Sequence, residues 1–153
     1  MRVVFVCWGN ICRSPMAERV AEKQAALRGL TGIEFTSAAT SREELGEPLD
    51  PRAARTLERH GYRTDGHRAH QITRDEIENA DLVLAMEDIH LRKMLAIHPG
   101  ADNLRLLTDF DPDAEPGSGI DDPWYGPAAG FERTLASIEG AIPGLLDRLA
   151  AER

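Results

Sequence analysis

Short apolar runs alternate with amphipathic stretches along the chain, which predicts a series of strands and helices. Val3 to Val6 is an apolar run of strand length, and residues 15–28 carry apolar side chains at helical spacing before Gly29. Similar patterns predict strands at Ile33–Ala38, Asp81–Met86 and Leu104–Leu107, and helices at 51–60, Arg74–Asn79, 88–97 and 128–150. Residues 108–127 are rich in Asp, Pro and Gly and predict a long loop, while Pro143 is expected to kink or divide the last helix.

Strands that alternate with helices favour a parallel sheet covered by helices on both faces. We therefore expect an α/β fold of three layers (α/β/α) around a central four-stranded parallel sheet, Rossmann-like or flavodoxin-like. Ligands of such sheets bind at the carboxyl ends of the strands, where the loop after the first strand lies. The chain shows no repeat, linker or low-complexity tract, so a single domain over residues 1–153 is expected.

The segment from Cys7 to Ser14 (Cys-Trp-Gly-Asn-Ile-Cys-Arg-Ser) is the predicted loop between the first strand and the first helix. Ser14-Pro15 is typical of an N-cap followed by a proline in the first helical turn. Gly9 and Asn10 tolerate left-handed backbone geometry, so successive amide groups can turn inward. The loop is therefore predicted to hold a tetrahedral oxyanion.

Two side chains of this loop supply candidate chemistry. Inward amides and the positive end of the helix would stabilise a thiolate at Cys7, which makes this residue a candidate nucleophile. Arg13 offers planar donors that match two oxygens of a phosphoryl group, and Ser14 can donate to the sulfur. A lone cysteine in a strand is more often a small core residue, and Ser14 can be a simple N-cap. The strand, loop and helix together favour the catalytic interpretation.

A second motif can supply the proton that a leaving phosphate ester needs. Asp121-Asp122-Pro123-Trp124-Tyr125-Gly126 lies in the long loop before the last helix. A carboxyl group on such a loop can approach the leaving oxygen from the side opposite the nucleophile, and the adjacent aromatic residues can flank a flat substrate. Taken alone, an Asp-Pro pair predicts only a turn.

Composition limits the function classes. The chain is 42% hydrophobic and 29% charged, and it has no apolar stretch of membrane-spanning length, so we expect a cytoplasmic protein without a membrane partner. The net charge of −8 argues against nucleic acid as the main partner. Two cysteines five positions apart do not form the framework of a secreted mini-protein and are expected to be thiols in a reducing compartment.

The segment from Val6 to Glu18 resembles the signature of the low-molecular-weight protein tyrosine phosphatases. Matches in the same order and spacing extend through nearly the whole chain: Ser37 to Ser41, Asp50 to Arg52, His60-Gly61, Gln71 to Thr73, Asp81 to Met86, Phe110 to Pro112 and Asp122 to Gly126. Two motifs on separate loops make the resemblance specific for this family.

The resemblance implies that Cys7 attacks phosphorus and forms a cysteinyl-phosphate, that Arg13 holds the phosphoryl oxygens, and that Asp122 is the general acid and then the general base. The other residues of the phosphate-binding loop would be Trp8, Gly9, Asn10, Ile11, Cys12 and Ser14. Asn10, Ser14 and Ser37 would support the loop, and the pocket walls would be Trp8, Ile11, Trp124 and Tyr125. The implied substrates are phosphotyrosine proteins or peptides, with inorganic phosphate as product and inhibitor. The family uses no metal or cofactor, and we expect a monomer or weak dimer.

Departures from the family pattern affect the expected specificity. Trp8 is bulkier than the residue common after the nucleophile, and Trp124 replaces the first of two tyrosines. Some relatives carry an aromatic wall residue at the position of Glu43. A carboxylate there would repel acidic sequences around a phosphotyrosine, so we predict weaker use of strongly acidic phosphopeptides.

Several interpretations stay open at this point. Cys12 can pack against the sheet or can be a redox partner that forms a reversible disulfide with Cys7. The alternative activities are thiol-dependent arsenate reduction, for which a third thiol is missing, and non-catalytic binding of phosphate or phosphopeptides, against which Cys7 and Asp122 count. A zinc site from the two cysteines and His60, His67 and His70 is a further alternative, but the histidines lack ligand-like spacing and are expected to be surface or hydrogen-bonded residues.

Overall fold

The computed structural model describes residues 1–152 and shows an α/β fold. Four strands form one parallel sheet in the order β2-β1-β3-β4. They are β1 (Arg2–Cys7), β2 (Glu34–Ala39), β3 (Leu82–Ala85) and β4 (Leu104–Leu106). The helices are α1 (Arg13–Leu27), α2 (Pro51–Arg59), α3 (Arg74–Asn79), α4 (Asp88–Ile97) and α5 (Gly130–Ala151), with a 3-10 turn at Leu107–Phe110. The expected four-stranded parallel α/β fold is confirmed.

The alternation of side chains along β1 divides the interior into two cores. Val3, Phe5 and Cys7 belong to the core that lies under α1 and α5. Val4 and Val6 belong to the core on the opposite face, which includes side chains from α3 and α4. Both faces of the sheet are therefore covered, as the apolar run of β1 predicts.

Three local predictions differ from the structure. The first helix begins at Arg13 with Cys12 as its N-cap, so Ser14 lies inside the first turn and is not the N-cap. The predicted long loop contains the 3-10 turn, which follows β4 directly. Of the two outcomes predicted for Pro143, a kink or a division, the division does not occur, since Pro143 lies on the exposed side of the continuous helix α5. No helix within residues 1–152 is long and apolar enough to span a bilayer.

The sheet order explains why the loop after β1 is a suitable place for a site. The chain moves from β1 to β2 on one side of the sheet and then to β3 on the other side of β1. The connections therefore diverge between β1 and β3, and parallel sheets bind ligands at such a point. The segment 8–12 lies at the carboxyl end of β1 at this position.

Candidate active site

Cys7 ends β1, and its sulfur is surrounded by donors from the following loop. The backbone amide groups of Asn10 and Ser14 point to Cys7 Sγ at 3.3 and 3.4 Å, and Ser14 Oγ lies 3.0 Å from it. The residue is 3% exposed. These donors, with the N-terminus of α1, suit a negative charge on the sulfur.

Asn10 holds the loop in shape. It has a φ of 60°, in the left-handed region, and is fully buried. Its Nδ2 donates to Ser14 Oγ at 2.8 Å and to Ser37 Oγ at 3.0 Å, and its Oδ1 accepts from the amide of His70 at 3.2 Å. The His67 ring lies 2.6 Å from its carbonyl oxygen. The three predicted support residues are thus brought together, and the two histidines extend the support.

Gly9 does not adopt the left-handed backbone conformation considered for it from the sequence. Its φ is not in the left-handed region, and Asn10 alone of the non-glycine residues within 1–152 has a positive φ. A Cβ at Gly9 would lie 3.3 Å from Glu44 Cγ. The absence of a side chain at Gly9 therefore serves the close approach of Glu44 rather than a special backbone angle.

Glu18 lies at the end of the same hydrogen-bond network. Ser37 Oγ donates to Glu18 Oε1 at 2.8 Å, and Ser37 in turn accepts from Asn10. Burial raises the pKa of Glu18, although the bond from Ser37 opposes this shift. The network thus connects a buried carboxyl group with the loop around Cys7.

Arg13 is buried and has a fixed orientation. Its Nη1 donates to Glu87 Oε2 at 2.7 Å and to the carbonyl oxygen of Ile120 at 2.8 Å. Its Nη2 lies 3.5 Å from Asp122 Oδ2. Because Nη1 is engaged by protein acceptors, Nε and Nη2 are the edge available for a side-on contact with an oxyanion.

Asp122 lies in the loop before α5, next to Arg13. Its Oδ1 accepts the backbone amide of Trp124 at 3.0 Å, and its side chain is 38% exposed. The structure therefore places the candidate acid beside the candidate phosphate clamp, Arg13, and in the same pocket as Cys7.

A pocket of about 290 Å³ contains most of the predicted site. Trp124 is 39% exposed and Tyr125 is 92% exposed, so Tyr125 lies at the rim. The lining residues are Cys7, Trp8, Gly9, Ile11, Cys12, Arg13, Glu43, Glu44, Asp122, Trp124 and Tyr125. Asn10, Ser14 and Ser37 lie behind this surface, as expected for residues that support the loop.

Trp8 is held on two sides. Its indole Nε1 donates to Glu43 Oε2 at 3.0 Å, and Lys93 Nζ lies 5.0 Å from the ring centroid. The bulky residue after the candidate nucleophile is thus held in place on the pocket wall, and Glu43 orients it.

Cys12 is buried next to the loop and belongs to the core below α1 and α5. Burial raises the pKa of the Cys12 thiol strongly, and the nearby charges of Asp50 and Cys7 raise it further. The thiol is therefore neutral near pH 7. Both cysteines are free in the structure, and the disulfide with Cys7 remains a prediction.

The three histidines of the zinc hypothesis have other partners. His60 lies 2.7 Å from Glu132, His67 contacts Asn10, and the His70 ring lies 2.8 Å from Glu76. Within residues 1–152, no group of three His, Cys, Asp or Glu side chains is arranged to hold a metal ion. The expectation of hydrogen-bonded histidines agrees with this geometry.

Glu87 and Arg52 contact residues of the site and were not identified as site residues from the sequence. Glu87 binds Arg13, and Arg52 donates from Nη1 to the carbonyl oxygen of Trp124 at 3.2 Å. Their partners lie more than 70 positions away, so spacing along the chain gives no signal. For Arg52 the sequence gives only a weak indication, because the Asp50 to Arg52 stretch is among the segments that resemble the family.

Comparisons with known proteins show which family this chain is similar to. The model of the family described as low molecular weight phosphotyrosine protein phosphatase matches residues 2–153. The low molecular weight protein-tyrosine phosphatase A of Mycobacterium tuberculosis is 42% identical over 149 residues, which cover 96% of this chain and 90% of that protein. A low molecular weight protein-tyrosine-phosphatase of Streptomyces coelicolor is 43% identical over 151 residues, which cover 95% and 91%.

Solved structures of other phosphatases are similar over nearly the whole chain. The protein tyrosine phosphatase of Entamoeba histolytica has a TM-score of 0.92 at 28% identity and matches 99% of this chain and 98% of that one. The YwlE arginine phosphatase of Geobacillus stearothermophilus has a TM-score of 0.86 at 31% identity, with 99% and 94% covered. The chain, with its loop from Cys7 to Ser14 and its Asp122 loop in one pocket, belongs to the low molecular weight phosphotyrosine protein phosphatase family.

Proposed function

We propose that this protein hydrolyses phosphotyrosine and small aryl phosphates through a cysteinyl-phosphate intermediate. Cys7 is the nucleophile, Arg13 binds the phosphoryl oxygens, and Asp122 is the general acid and base. One observation carries the proposal: Cys7, with two backbone amide donors and the Ser14 hydroxyl around its sulfur, lines the same pocket as Asp122, and Arg13 lies beside that acid.

In the first step, Cys7 Sγ attacks phosphorus in line as the bond to the phenolic oxygen breaks. Arg13 binds two equatorial oxygens through Nε and Nη2, while loop amides stabilise the remaining charge. A protonated Asp122 gives its proton to the leaving oxygen. Tyrosine is a poor leaving group, because its phenol has a pKa of about 10, so this proton transfer contributes strongly to the rate.

In the second step, water hydrolyses the intermediate. The Asp122 carboxylate takes a proton from a water molecule, whose oxygen attacks phosphorus as the sulfur–phosphorus bond breaks. The departing Cys7 thiolate is stabilised by the donors from Asn10 and Ser14. Inorganic phosphate and the original protonation state of Asp122 result, so the cycle closes without another reactant.

The pocket walls support an aromatic substrate. Trp8 and Trp124 present flat apolar surfaces, and Ile11 adds an aliphatic contact near the loop. A phosphotyrosine ring can pack between such walls, whereas a phosphoserine side chain is too short to use them. We further propose phosphotyrosine proteins in the cytoplasm as substrates, competitive inhibition by inorganic phosphate, and a monomer or weak dimer.

The test compares wild type, Cys7→Ser and Asp122→Asn with p-nitrophenyl phosphate and phenyl phosphate. Cys7→Ser is expected to lose about 10³-fold or more in kcat, since it removes the nucleophile. Asp122→Asn is expected to lose about 10²-fold or more in kcat/KM for phenyl phosphate but much less for p-nitrophenyl phosphate, whose phenolate leaves without help.

Either of two outcomes contradicts the proposal. Turnover by Cys7→Ser at the wild-type rate would exclude Cys7 as nucleophile. Equal losses of Asp122→Asn on both substrates would remove Asp122 from the acid role.

A phosphoarginine substrate should be included, because a structurally similar protein is an arginine phosphatase. We expect phosphotyrosine to be preferred, since the flat walls suit its ring.

A further inference from the structure

We propose that Arg52 is a positioning residue for the general acid, because it links the phosphate-binding loop to the loop that carries Asp122. This proposal rests on the proposed role of Asp122. Arg52 lies in the first turn of α2, is partly buried and does not line the pocket. Its effect on the reaction would therefore be indirect.

One end of the link is the phosphate-binding loop. The backbone amide of Asp50 donates to the carbonyl oxygen of Ile11 at 3.0 Å. The Asp50 side chain is 6% exposed and binds Arg52 by two contacts, Nε to Oδ1 at 3.1 Å and Nη2 to Oδ2 at 3.0 Å. This geometry fixes the plane of the guanidinium group relative to the loop.

The Asp50 carboxylate is also well stabilised as an anion. Burial alone would raise its pKa, but hydrogen bonds from Arg52 and from the backbone amides of α2 outweigh burial and hold the pKa of Asp50 below its ordinary value. The ion pair is therefore intact at neutral pH.

The other end of the link is the Asp122 loop. Arg52 Nη1 donates to the carbonyl oxygen of Trp124 at 3.2 Å. The guanidinium carbon lies 5.1 Å from the Trp124 ring centroid and 4.8 Å from that of Phe131. Arg52 thus holds Trp124 by its backbone and by its ring, and it also contacts the start of α5.

Trp124 transmits this constraint to the acid. Its backbone amide donates to Asp122 Oδ1 at 3.0 Å, so the position of Trp124 sets the orientation of the carboxyl group. The hydrogen bonds described for residues 123–129 are otherwise local to the loop and the start of α5. Loss of Arg52 is therefore expected to let the turn at Asp122 move while the phosphate-binding loop stays in place.

The first test measures Arg52→Ala on two substrates. We expect kcat/KM to fall about tenfold for phenyl phosphate, because a misplaced acid transfers its proton less efficiently, and less than about threefold for p-nitrophenyl phosphate. The inhibition constant of inorganic phosphate should stay at the wild-type value, since Arg13 and the loop amides are unchanged. The matched control is Arg55→Ala, an exposed arginine on the same helix, which should behave as wild type.

A second variant tests whether a loss of folding or of positive charge explains the effect of Arg52→Ala. Asp50→Asn keeps an oxygen for the N-cap of α2 but removes the charge that orients Arg52. It leaves the Arg52 cation beside the pocket, so a purely electrostatic effect of Arg52 would not be lost. We expect Asp50→Asn to reduce kcat/KM in the same substrate-dependent way as Arg52→Ala, and thermal melting checks that both variants are folded.

The decisive measurement combines Arg52→Ala with Asp122→Asn. If Arg52 acts through Asp122, the added substitution should leave kcat/KM of Asp122→Asn unchanged within about twofold. Equal losses of Arg52→Ala on both substrates, or a further tenfold loss in the double variant, would overturn this proposal. If Asp122→Asn alone shows no dependence on the leaving group, the proposed function itself fails, which is distinguishable from a failure of Arg52.

Discussion

Glu43 affects the mouth of the pocket in two ways. Its carboxylate orients Trp8 through the indole hydrogen bond, and its negative charge lies on the pocket wall together with that of Glu44. A neutral amide at position 43 can still accept the hydrogen bond from Trp8. The substitution Glu43→Gln therefore separates the charge from the positioning of the wall.

We predict that Glu43→Gln raises kcat/KM for acidic phosphotyrosine peptides relative to neutral ones by about threefold at low salt. The reason is a weaker repulsion of the peptide, and added salt should reduce the difference because it screens exposed charges. Steady-state kinetics on a matched peptide pair measures the ratio. Glu47→Gln, exposed on the same loop and away from the pocket lining, is the control. Wild-type turnover of acidic peptides that equals or exceeds that of neutral ones would contradict the prediction.

The candidate catalytic residues, which the structure brings into one pocket, could be selected from the sequence because each belongs to a local motif. Cys7 and Arg13 lie within one loop, and Asp122 has a proline and two aromatic residues beside it. Glu87 and Arg52 could not be selected in this way, because each contacts the site through a segment that is distant along the chain. The general rule is physical: a motif gives the identity of a reactive group, while tertiary packing determines which group orients it.

At the level of elements, the start of α1 shows a limit of local signals. Ser-Pro predicts a helix that begins after Ser14, yet the amide of Met16 donates to the carbonyl oxygen of Cys12 at 3.1 Å, which starts the helix earlier. The Ser14 side chain instead contacts Cys7 and Asn10. A capping signal in the sequence was thus overridden because the same hydroxyl is used by the site.

The packing of α5 against the 3-10 turn depends on Gly144. A Cβ at this position would overlap the carbonyl oxygen of Phe110, which is backbone and cannot move aside cheaply. Helix propensity favours alanine over glycine by about 1 kcal/mol in a helix interior, but forced overpacking costs about 1–3 kcal/mol and here involves a direct clash. The free-energy cost of the clash should therefore exceed the gain in helix propensity.

We predict that Gly144→Ala lowers the free energy of unfolding by about 2 kcal/mol. Urea denaturation measures the change. Gly140→Ala on the same helix is the control, because its Cβ would meet the end of the Asp111 side chain, which can rotate away. The control should stay within about 1 kcal/mol of wild type. A Gly144→Ala variant as stable as wild type would show that the turn at Phe110 moves freely.

At the level of the whole molecule, the two cores and the site are joined through β1. Val3 and Phe5 face α1 and α5, Val4 and Val6 face α3 and α4, and Cys7 follows at the end of the same strand. Apolar runs and helical spacing were sufficient to predict the layers. The strand order was not predicted, since it depends on which strands pair, and this order brings the loops after β1 and β3 together around Arg13 and Glu87.

His90 couples the stability of this assembly to pH. The residue is 1% exposed in α4, and its Nδ1 accepts the backbone amide of Glu87, the residue that binds Arg13. Burial lowers the pKa of His90 to about 4, and the positive charges of Arg13 and Lys93 add to this effect while Asp122 opposes it. The ring is therefore neutral in the folded protein, as its acceptor role requires.

The sign of the pH effect follows from this shift. In the unfolded chain, a histidine binds a proton below its ordinary pKa of about 6.5, whereas His90 in the fold resists protonation until about pH 4. Its contribution to stability is therefore fully present above pH 6.5 and is lost as the pH falls from 6.5 towards 4. The total loss corresponds to about 3 kcal/mol.

We predict that His90→Gln makes the protein less sensitive to acid, because a glutamine oxygen can accept the Glu87 amide but does not titrate. Urea denaturation at pH 7 and pH 4.5 should show that the variant loses about 2 kcal/mol less than wild type between the two conditions. His70→Gln is an informative control, since Glu76 raises the pKa of His70 and its stabilisation is present at low pH and lost as the pH rises. His70→Gln should therefore lose more stability than wild type between pH 7 and pH 4.5. Equal acid sensitivity of wild type and His90→Gln would show that the buried His90 ring does not resist protonation.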